Sequence, residues 1–437
     1  MSPQLTLHKP LQLPPSEIPS YLEQLWSKDE LGSPGANTFC LLIWQPAWIE
    51  QELVRTGKVK GPIIGNQRKE VIEAAREVVL ETELSHCTPP LDNRVRDWLS
   101  TFSGKNQEED LRGQHIDNAI SALNPRRLIT LAPTLDKKHP LETLVAAYCP
   151  LLEERNGNSA CGDVVVLRGD QHSLTKGLNI LKNLLPKELP SWLWWNGNLD
   201  EAPELLNKLA LQKRRLIIDT ALGDPLQCLH LLSKRISSGQ AVNDLNWLRL
   251  RTWRETLAMV FDPPHRRKAL SHVERLDIDI EGTHTVQGLL LAAWIADRLG
   301  WKLNLASTNE SEGISAIFQR PDGVMVNICI NSLPVGNPSI HPGQIVGIRL
   351  ICKPEHLNQN AVCVILASES GECMRLEAGG MASMELVEEV VPIQSNSAEM
   401  DVARLLSSSR GSTSPLLSSA APIASKLLEL AQAQKEA

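Results

Sequence analysis

The sequence predicts an α/β protein: an N-terminal domain with a mainly parallel, helix-covered sheet, followed by a smaller α+β domain with an antiparallel meander. Two observations predict this. Between Arg127 and Leu232, short apolar runs alternate with segments of helical periodicity, as in parallel strands joined by right-handed crossovers. Between Ala316 and Glu377, short β-rich runs instead follow one another through loops rich in Gly, Pro, Asn and Ser.

The clearest strand of the first domain is the run Ser-Trp-Leu-Trp-Trp that ends at Trp195 and precedes Asn196-Gly197. Side chains alternate along a strand, so both faces of this run are apolar, which predicts a central strand covered on each side. Three core tryptophans are the plainer interpretation. The alternative is that Trp195 and Asn196 line the crevice at the carboxyl end of the sheet, where open α/β sheets bind ligands.

The other elements of the first domain follow from apolar spacing. Phe39–Trp44 is a compact apolar run, and residues 67–84 and 95–102 have helical periodicity. Further strands are expected at 128–132, 163–167 and 215–219, and helices at 141–152, 172–185, 201–211 and 225–232.

A long helix is predicted over 245–261, with Leu250, Trp253, Leu257 and Val260 on its core stripe. Pro263-Pro264 ends it, and we place the domain boundary there. The predicted segments are a Pro-rich arm at 1–36, the α/β domain at 37–262, the β-rich α+β domain at 263–393, and a mobile Ser-rich tail at 394–437 with a short helix at 424–434.

The composition excludes several classes of protein. The chain has 437 residues, 42% hydrophobic and 22% charged, which is ordinary for a soluble protein of about two to three domains. Its net charge of -7 argues against general attraction to nucleic acid or to anionic membranes. The sequence has no membrane-spanning apolar run and no basic start followed by an apolar segment, so we expect a cytoplasmic protein.

The motifs of catalysis are missing from the sequence. The glycines from Gly169 to Gly177 do not have the spacing of a phosphate loop, and no G-x-G-x-x-G occurs. Ser159 does not lie in a nucleophile elbow, and no His/Cys pattern matches a zinc site. Asp277 and Asp279 share a face of a possible short strand, and such a pair is more often solvated than catalytic. We therefore predict no catalytic residue, no metal site and no cofactor.

The helix at 245–261 carries the strongest candidate binding surface. Trp247, Arg251 and Arg254 align on a face other than the core stripe, and Arg266 and Arg267 follow in the next turn. The surrounding sequence has seven Lys/Arg against four Asp/Glu in an acidic chain. Trp and Arg are enriched at interface hot spots, so this face is a candidate docking site for an acidic partner. The alternative, of equal weight, is a surface tryptophan covered by arginine stems through cation–π contact.

The nine cysteines are scattered, and none forms a C-x-x-C. That pattern is neither a secreted disulfide framework nor a zinc site, and buried free thiols are the favoured interpretation. A reversible bond between Cys352 and Cys363 is a further hypothesis, because a hairpin closed by residues 353–360 would place them within about two residues of being opposite. Cys373 is offset from Cys363 by roughly 10 Å, beyond disulfide reach.

Several motifs carry a family resemblance. In their order and spacing over roughly residues 40–380, they resemble the OpcA family of glucose-6-phosphate dehydrogenase assembly proteins, in its longer cyanobacterial form. The tryptophan strand and the D-L-x-W-x-R-x-x-x-W-R-E helix are together the most specific of them. The motifs lie at 124–131, 189–197, 215–219 and 244–255.

The resemblance implies a non-catalytic partner that binds glucose-6-phosphate dehydrogenase, favours its active oligomer and so promotes the oxidative pentose phosphate pathway. It also implies thioredoxin-linked redox control through cysteines, without assigning that control to particular residues. The competing hypothesis is a small-molecule or nucleotide-binding α/β enzyme that uses the crevice near Trp195. A third, nucleic-acid binding through the arginine-rich helix, conflicts with the acidic net charge.

Overall fold

The protein is described from a computed structural model. The structure describes residues 4–6, 11–27, 39–44, 73–74, 126–133, 140–150, 162–185, 189–199, 202–210, 214–308, 313–334, 343–352, 362–370, 373–380, 387–392, 398–407 and 412–436. The helices predicted at 67–84 and 95–102 lie outside this part of the chain, apart from residues 73–74.

The strands of the described residues are β1 Gln4–Thr6, β2 Leu11–Gln12, β3 Phe39–Trp44, β4 Arg126–Pro133, β5 Glu142–Pro150, β6 Gly162–Gly169, β7 Ser191–Trp195, β8 Arg215–Ile218, β9 Val242–Asp244, β10 Val273–Glu281, β11 Lys302–Thr308, β12 Ile314–Gln319, β13 Met325–Leu333, β14 Ile345–Cys352, β15 Val362–Ser370, β16 Cys373–Gly380 and β17 Val387–Pro392.

The α-helices of the same residues are α1 Ile18–Ser27, α2 Gln171–Leu184, α3 Pro203–Ala210, α4 Pro225–Ser237, α5 Leu245–Arg249, α6 Arg251–Val260, α7 Pro264–Ala269, α8 Val286–Leu299, α9 Ala398–Ser407 and α10 Pro415–Glu436. The chain divides into two compact units. The first comprises 1–197, 201–218 and 398–411, and the second 198–200, 219–397 and 412–437.

The first unit contains a mainly parallel sheet in the order β1-β5-β6-β4-β3-β7-β8, with β2 also paired to β5. The pairs among β6, β4, β3, β7 and β8 are parallel, whereas β5 pairs antiparallel with β6. Along the chain these five parallel strands are the third, second, first, fourth and fifth, so the order reverses between β3 and β7. That is the strand order of dinucleotide-binding α/β folds, and the reversal is a topological switch point.

The continuous apolar runs of this sheet explain its position in the core. Strand β6 is buried along its whole length, and β3 and β7 are buried after their first residue. Parallel strands covered on both faces have such near-continuous apolar sequences. The prediction that the tryptophan run is a buried central strand is therefore confirmed.

One helix prediction in this unit was wrong. Residues 141–152 were expected to be helical, but Glu142–Pro150 is strand β5. The spacing of its apolar residues fits both the helical and the strand period, and Thr and Val suit a pleated surface. Thr143 and Val145 are buried whereas Leu144 between them is partly exposed, the alternation of a strand paired on β6. The described parts of the Pro-rich arm also join this unit, because β1 and β2 pair with β5.

The second unit contains a mainly antiparallel sheet in the order β11-β12-β13-β10-β14-β15-β16-β17. The β10–β13 pair is parallel. Helix α8 covers one face of this sheet, and Gly288 permits the close approach. A Cβ atom at Gly288 would lie 3.0 Å from Ile330 Cγ2 and 3.2 Å from Ile280 Cγ2. The prediction of a mainly parallel sheet followed along the chain by a mainly antiparallel sheet is confirmed.

The boundary between the units differs from the predicted one at 262–263 and falls at 218–219. Residues 219–262 belong to the second unit because α4 packs against α10 and α5 packs against α8. The proline pair at 263–264 ends a helix without ending a unit.

The C-terminal segment also differs from the predicted mobile tail. Helix α10 extends over Pro415–Glu436 and packs against α4, α8 and β11 in the second unit. Leu417, Leu427 and Leu428 are buried along it. Helix α9 instead belongs to the first unit. Ser418 and Ser419 are tolerated within the helix because their hydroxyls donate to backbone oxygens of the preceding turn, Ser414 O and Leu416 O.

Candidate functional site

The predicted docking helix forms as two consecutive segments, α5 and α6, which meet at Leu250. Asp244 caps α5, with its carboxylate accepting from the backbone N–H groups of Asn246 and Trp247 at 3.2 and 3.3 Å. Such caps satisfy donors that the first turn leaves without partners. The predicted core stripe at Leu250, Trp253, Leu257 and Val260 is buried, which confirms it.

The aromatic residue of this surface is covered by its own arginine. Trp247 is buried, and the guanidinium carbon of Arg254 lies 3.8 Å from its ring centroid. Arg254 Nη2 also donates to Trp247 O at 3.4 Å. Burial lowers the pKa of Arg254 to about 10. The geometry is that of the cation–π alternative, in which the arginine covers the tryptophan.

The remaining arginines of the predicted surface lie further out. Arg251 is exposed and forms an i,i+4 ion pair with Glu255 at 2.7 Å. Arg267 is exposed on α7, where its Nη2 donates to Asp262 O at 2.7 Å. The backbone of Arg266 lies in α7, but its side chain is outside the described part of the structure. A basic surface is present at these positions, but it presents no open tryptophan face.

A buried polar network holds α5 in place. Asp244 accepts from the backbone N–H and the hydroxyl of Thr220, at 3.0 and 2.8 Å. Arg249 binds both carboxylate oxygens of Asp219, at 2.9 and 2.7 Å. Burial, together with the neighbouring Asp219 charge, raises the pKa of Asp244 to about 6. This network positions the helix and its arginines from the second unit's own core.

The network continues into α8 through an amide. Gln287 Nε2 donates to Asn246 Oδ1 at 3.0 Å, and Gln287 Oε1 accepts from the backbone N–H of Ile345 at 2.7 Å. One buried side chain therefore ties α5 to the start of β14. A residue with both a donor and an acceptor is needed at this position.

The predicted crevice residues lie at the switch point of the first sheet. Trp195 ends β7 directly beside Trp44 at the end of β3. The two rings stack, with centroids 4.7 Å apart and planes inclined by 10°, and Trp195 is fully buried. Asn196 follows, and its backbone N–H donates to Trp44 O at 3.0 Å. The two stacked rings therefore fill the space at the ends of β3 and β7, and Trp195 presents no surface to a ligand.

The two cysteines proposed as a redox pair are not cross-strand partners. Cys352 pairs with Val362, and Cys363 pairs with Ile351. Adjacent positions on a strand face opposite sides of the sheet, so this register separates the two residues. Cys352 is buried, and the side chain of Cys363 lies outside the described part of the structure.

One group of side chains on β10 and β14 differs from its sequence-based prediction. Asp277 and Asp279 were expected to form a solvated pair, but Asp277 is buried beneath two arginines, Arg275 of β10 and Arg349 of β14. The alternation in Val-Glu-Arg-Leu-Asp-Ile-Asp-Ile-Glu at 273–281 was the signal that could have predicted β10. The pairing with β14 was not readable from local sequence.

The described residues contain no candidate metal cluster and no candidate membrane-spanning helix. Within them, no three His, Cys, Asp or Glu side chains gather in a way that could hold a metal ion. No helix among them is long and apolar enough to cross a membrane.

Comparison with known proteins places this two-unit α/β chain in a class defined by two domain models. Residues 117–234 match the glucose-6-phosphate dehydrogenase subunit N-terminal domain, and residues 240–421 match the corresponding C-terminal domain. The chain belongs to the OpcA family.

The relatives are cyanobacterial. An OxPP cycle protein OpcA from Synechococcus elongatus is 30% identical over 91% of this chain and 92% of its own length. The OpcA protein of Synechocystis is 28% identical over 99% of this chain and 94% of its own length. Among solved structures, an oxidoreductase from Sinorhizobium meliloti superposes with a TM-score of 0.41 and 10% identity, covering 60% of this chain and 82% of that one. That likeness is too distant to indicate a shared activity.

Proposed function

We propose that this protein is a non-catalytic partner of glucose-6-phosphate dehydrogenase that favours the active oligomer of that enzyme and so promotes the oxidative pentose phosphate cycle. The observation that carries the proposal is the match of both domain models, in order, to most of the second half and much of the first half of the chain. The relatives' naming for the OxPP cycle points in the same direction.

The mechanism is a shift of population. A partner that binds the active oligomer more tightly than the inactive forms stabilises the active oligomer by the difference in binding free energy. A hundredfold preference corresponds to about 2.7 kcal/mol, enough to convert a minor oligomer into the major one. No chemistry by the partner is required.

The switch point supports a non-catalytic role. In dinucleotide-binding folds the cofactor's pyrophosphate enters beside the first strand through a glycine-rich turn. Here the first parallel strand, β3, ends at Trp44, whose ring stacks on Trp195, and the sequence continues Gln-Pro-Ala-Trp without glycine. A protein that used this position for hydride transfer would need it open to a cofactor.

The proposal includes thiol redox control, with thioredoxin as the reductant. Burial raises the pKa of the Cys40 thiol to about 11, which disfavours the reactive thiolate there. Cys329 and Cys373 are partly exposed free thiols, so among the described cysteines they are the better placed for exchange.

Size-exclusion chromatography with light scattering tests the proposal on this protein mixed with glucose-6-phosphate dehydrogenase from the same organism. We expect a defined complex, a larger share of the active oligomer and a higher dehydrogenase rate. A run with and without reductant tests the redox part. Separate elution under both conditions would overturn the proposed function, and identical complexes would overturn redox control.

A further inference from the structure

None of the described helices covers one face of the sheet of the second unit, which is its open face. Along β13, Val326 and Ile328 are buried under the helices, whereas Met325 and Asn327, which alternate with them, are exposed. Strand β12 alternates between buried and partly exposed residues, and on β10 Arg275 is exposed and Asp279 partly exposed while Asp277 between them is buried. Because α8 covers the buried side, the alternate residues form a broad face that the described helices leave in contact with solvent.

A pair of arginines stands at the middle of this face. Arg275 Nε contacts both carboxylate oxygens of Asp277, at 2.9 and 3.0 Å, and Arg349 Nη1 lies 3.9 Å from Asp277 Oδ2. The side chain of Asp277 is 5% exposed, whereas those of Arg275 and Arg349 are 54% and 53% exposed. An approaching molecule therefore meets two guanidinium groups, with their shared carboxylate beneath them.

The carboxylates of this face are less exposed than its arginines, because Asp277 and Glu281 on β10 are buried. Asp279 is partly buried, and its Oδ1 accepts from Asn331 Nδ2 at 2.8 Å. Arg375 and Glu377, on β16, pair with each other at 3.3 Å. The two guanidinium groups are thus the most exposed charged groups at the centre of the face, and the carboxylates of Asp277 and Asp279 balance their formal charge. Guanidinium groups bind carboxylates in a planar, two-pronged geometry, which makes an acidic side chain the matching group.

Resting on the function proposed above, we propose that this open face is the docking surface for glucose-6-phosphate dehydrogenase, and that an acidic segment of the enzyme places a carboxylate between Arg275 and Arg349. Exposed apolar groups beside them, such as Met325, supply contact area around the charged centre. Met and Arg are among the residues enriched at protein interfaces.

A second copy of this chain fits the face less well. Strands β10 and β14 are the fourth and fifth of eight, so the arginines lie near the centre of the sheet. A two-fold axis through that centre would bring two arginine pairs together. Four guanidiniums would then meet over two carboxylates that are already engaged. Like charges brought together in an interface are unfavourable, so an acidic partner is the better match.

The size of the face suits a stable complex. Eight strands spaced about 4.8 Å apart, each contributing about six residues of 3.3 Å, give roughly 700 Å². Specific interfaces bury about 800 Å² per partner. The α5–α6 surface is the weaker candidate, because Arg254 already covers Trp247 there.

Two variants of opposite charge at one exposed position, Asn327, test the proposal. Asn327 pairs with Arg275 across the β10–β13 ladder, and its substitution leaves the Arg275–Asp277 contact in place. We expect Asn327→Glu to weaken dehydrogenase binding at least tenfold, measured by titration calorimetry. Asn327→Lys, of similar size, should bind within threefold of the unchanged protein or more tightly. Gln227→Glu and Gln227→Lys, exposed on α4, are the matched controls, expected to bind like the unchanged protein.

A second variant tests the arginine pair directly. Arg349→Ala should weaken binding severalfold and reduce its dependence on salt, since it removes one exposed charge. Circular dichroism and thermal unfolding verify that each variant is folded, and the Asn327 pair decides the question even if Arg349→Ala unfolds.

The outcomes are distinguishable. If the unchanged protein does not bind the dehydrogenase, the proposed function fails and this inference fails with it. If it binds and both Asn327 variants bind equally well, the open face is not the docking surface. If both Asn327 variants weaken binding to the same extent, the assignment of an acidic partner is wrong.

Discussion

Arg254 lies over the ring of Trp247, with the guanidinium carbon 3.8 Å from the ring centroid. The tryptophan that the sequence offers as a binding residue is therefore already covered by an arginine seven residues further along the chain. The pair ties α5 to α6 across their junction at Leu250. Its main consequence is for stability, and that consequence can be measured.

Replacement of Arg254 should destabilise the second unit more than replacement of Arg251. We expect Arg254→Ala to lower the free energy of unfolding by about 1–2 kcal/mol, because it removes a desolvated cation–π contact and the covering stem. Arg251→Ala should change it by less than about 0.5 kcal/mol, because its ion pair with Glu255 is exposed. Urea unfolding followed by tryptophan fluorescence measures both. Equal effects would argue that Arg254 has no structural role.

The tryptophan stack at the switch point should be a major part of the first core. Trp195→Ala removes a fully buried ring that stacks on Trp44, and we expect a loss of about 3–5 kcal/mol. Trp195→Phe should lose less because an aromatic ring remains. Denaturant midpoints for the two variants measure the difference. If Trp195→Ala left the free energy of unfolding nearly unchanged and gained affinity for a nucleotide, the stacked rings would not be what closes the switch point.

The buried Asp244 should make stability depend on pH. Its pKa of about 6 lies above the value near 4 of an unfolded aspartate, so the folded state binds the proton more tightly. This contribution to the free energy of unfolding is fully present below pH about 4 and is lost as pH rises through about 6. At 1.36 kcal/mol per unit, the loss is about 3 kcal/mol. Asp244→Asn should remove this part of the pH profile, measured by urea unfolding from pH 4 to 7. Parallel profiles for the two proteins would contradict the prediction.

Two glycines with left-handed backbone should differ in their tolerance of alanine. Gly343 has φ +72°, and a Cβ atom there would lie 1.9 Å from His284 O. Gly239 has φ +79°, with nothing within 4 Å of the added atom. Gly239→Ala should cost about 1 kcal/mol, the backbone penalty alone. Gly343→Ala should cost more than about 3 kcal/mol, since the backbone must move as well. Thermal unfolding compares them, and equal costs would show that the carbonyl yields easily.

The C-terminal helix should behave as part of the core. Leu427→Ala, at a fully buried position of α10, should cost about 2–5 kcal/mol. Lys426→Ala, at the exposed position beside it, should stay within about 0.5 kcal/mol. Denaturant unfolding separates the two. A negligible effect of Leu427→Ala would mean that α10 is not needed to complete the second unit.

Local sequence was sufficient to predict an element and its buried side where the spacing of apolar residues matched only one kind of secondary structure. The run ending at Trp195 is apolar on both faces, and only a strand buried on both sides satisfies it. The stripe from Leu250 to Val260 likewise fixed which side of α6 is buried, because its spacing matches the helical period. Asp170 and Asp224 begin helices by capping them, which is a local hydrogen-bond effect.

Tertiary structure decided whatever depended on residues distant along the chain. Segment 142–150 is a strand because its backbone pairs with β6, although its composition would also allow a helix. Register set Cys352 opposite Val362 and so separated it from Cys363. Asp277 meets Arg349 only through the pairing of β10 with β14, and Trp195 meets its stacking partner through the pairing of β7 with β3. The sequence by itself determined which segments are apolar, periodic or capped, because those properties arise within a few residues. Only the tertiary structure determined which buried and charged groups meet, because strand pairing and packing bring together residues that local periodicity does not connect.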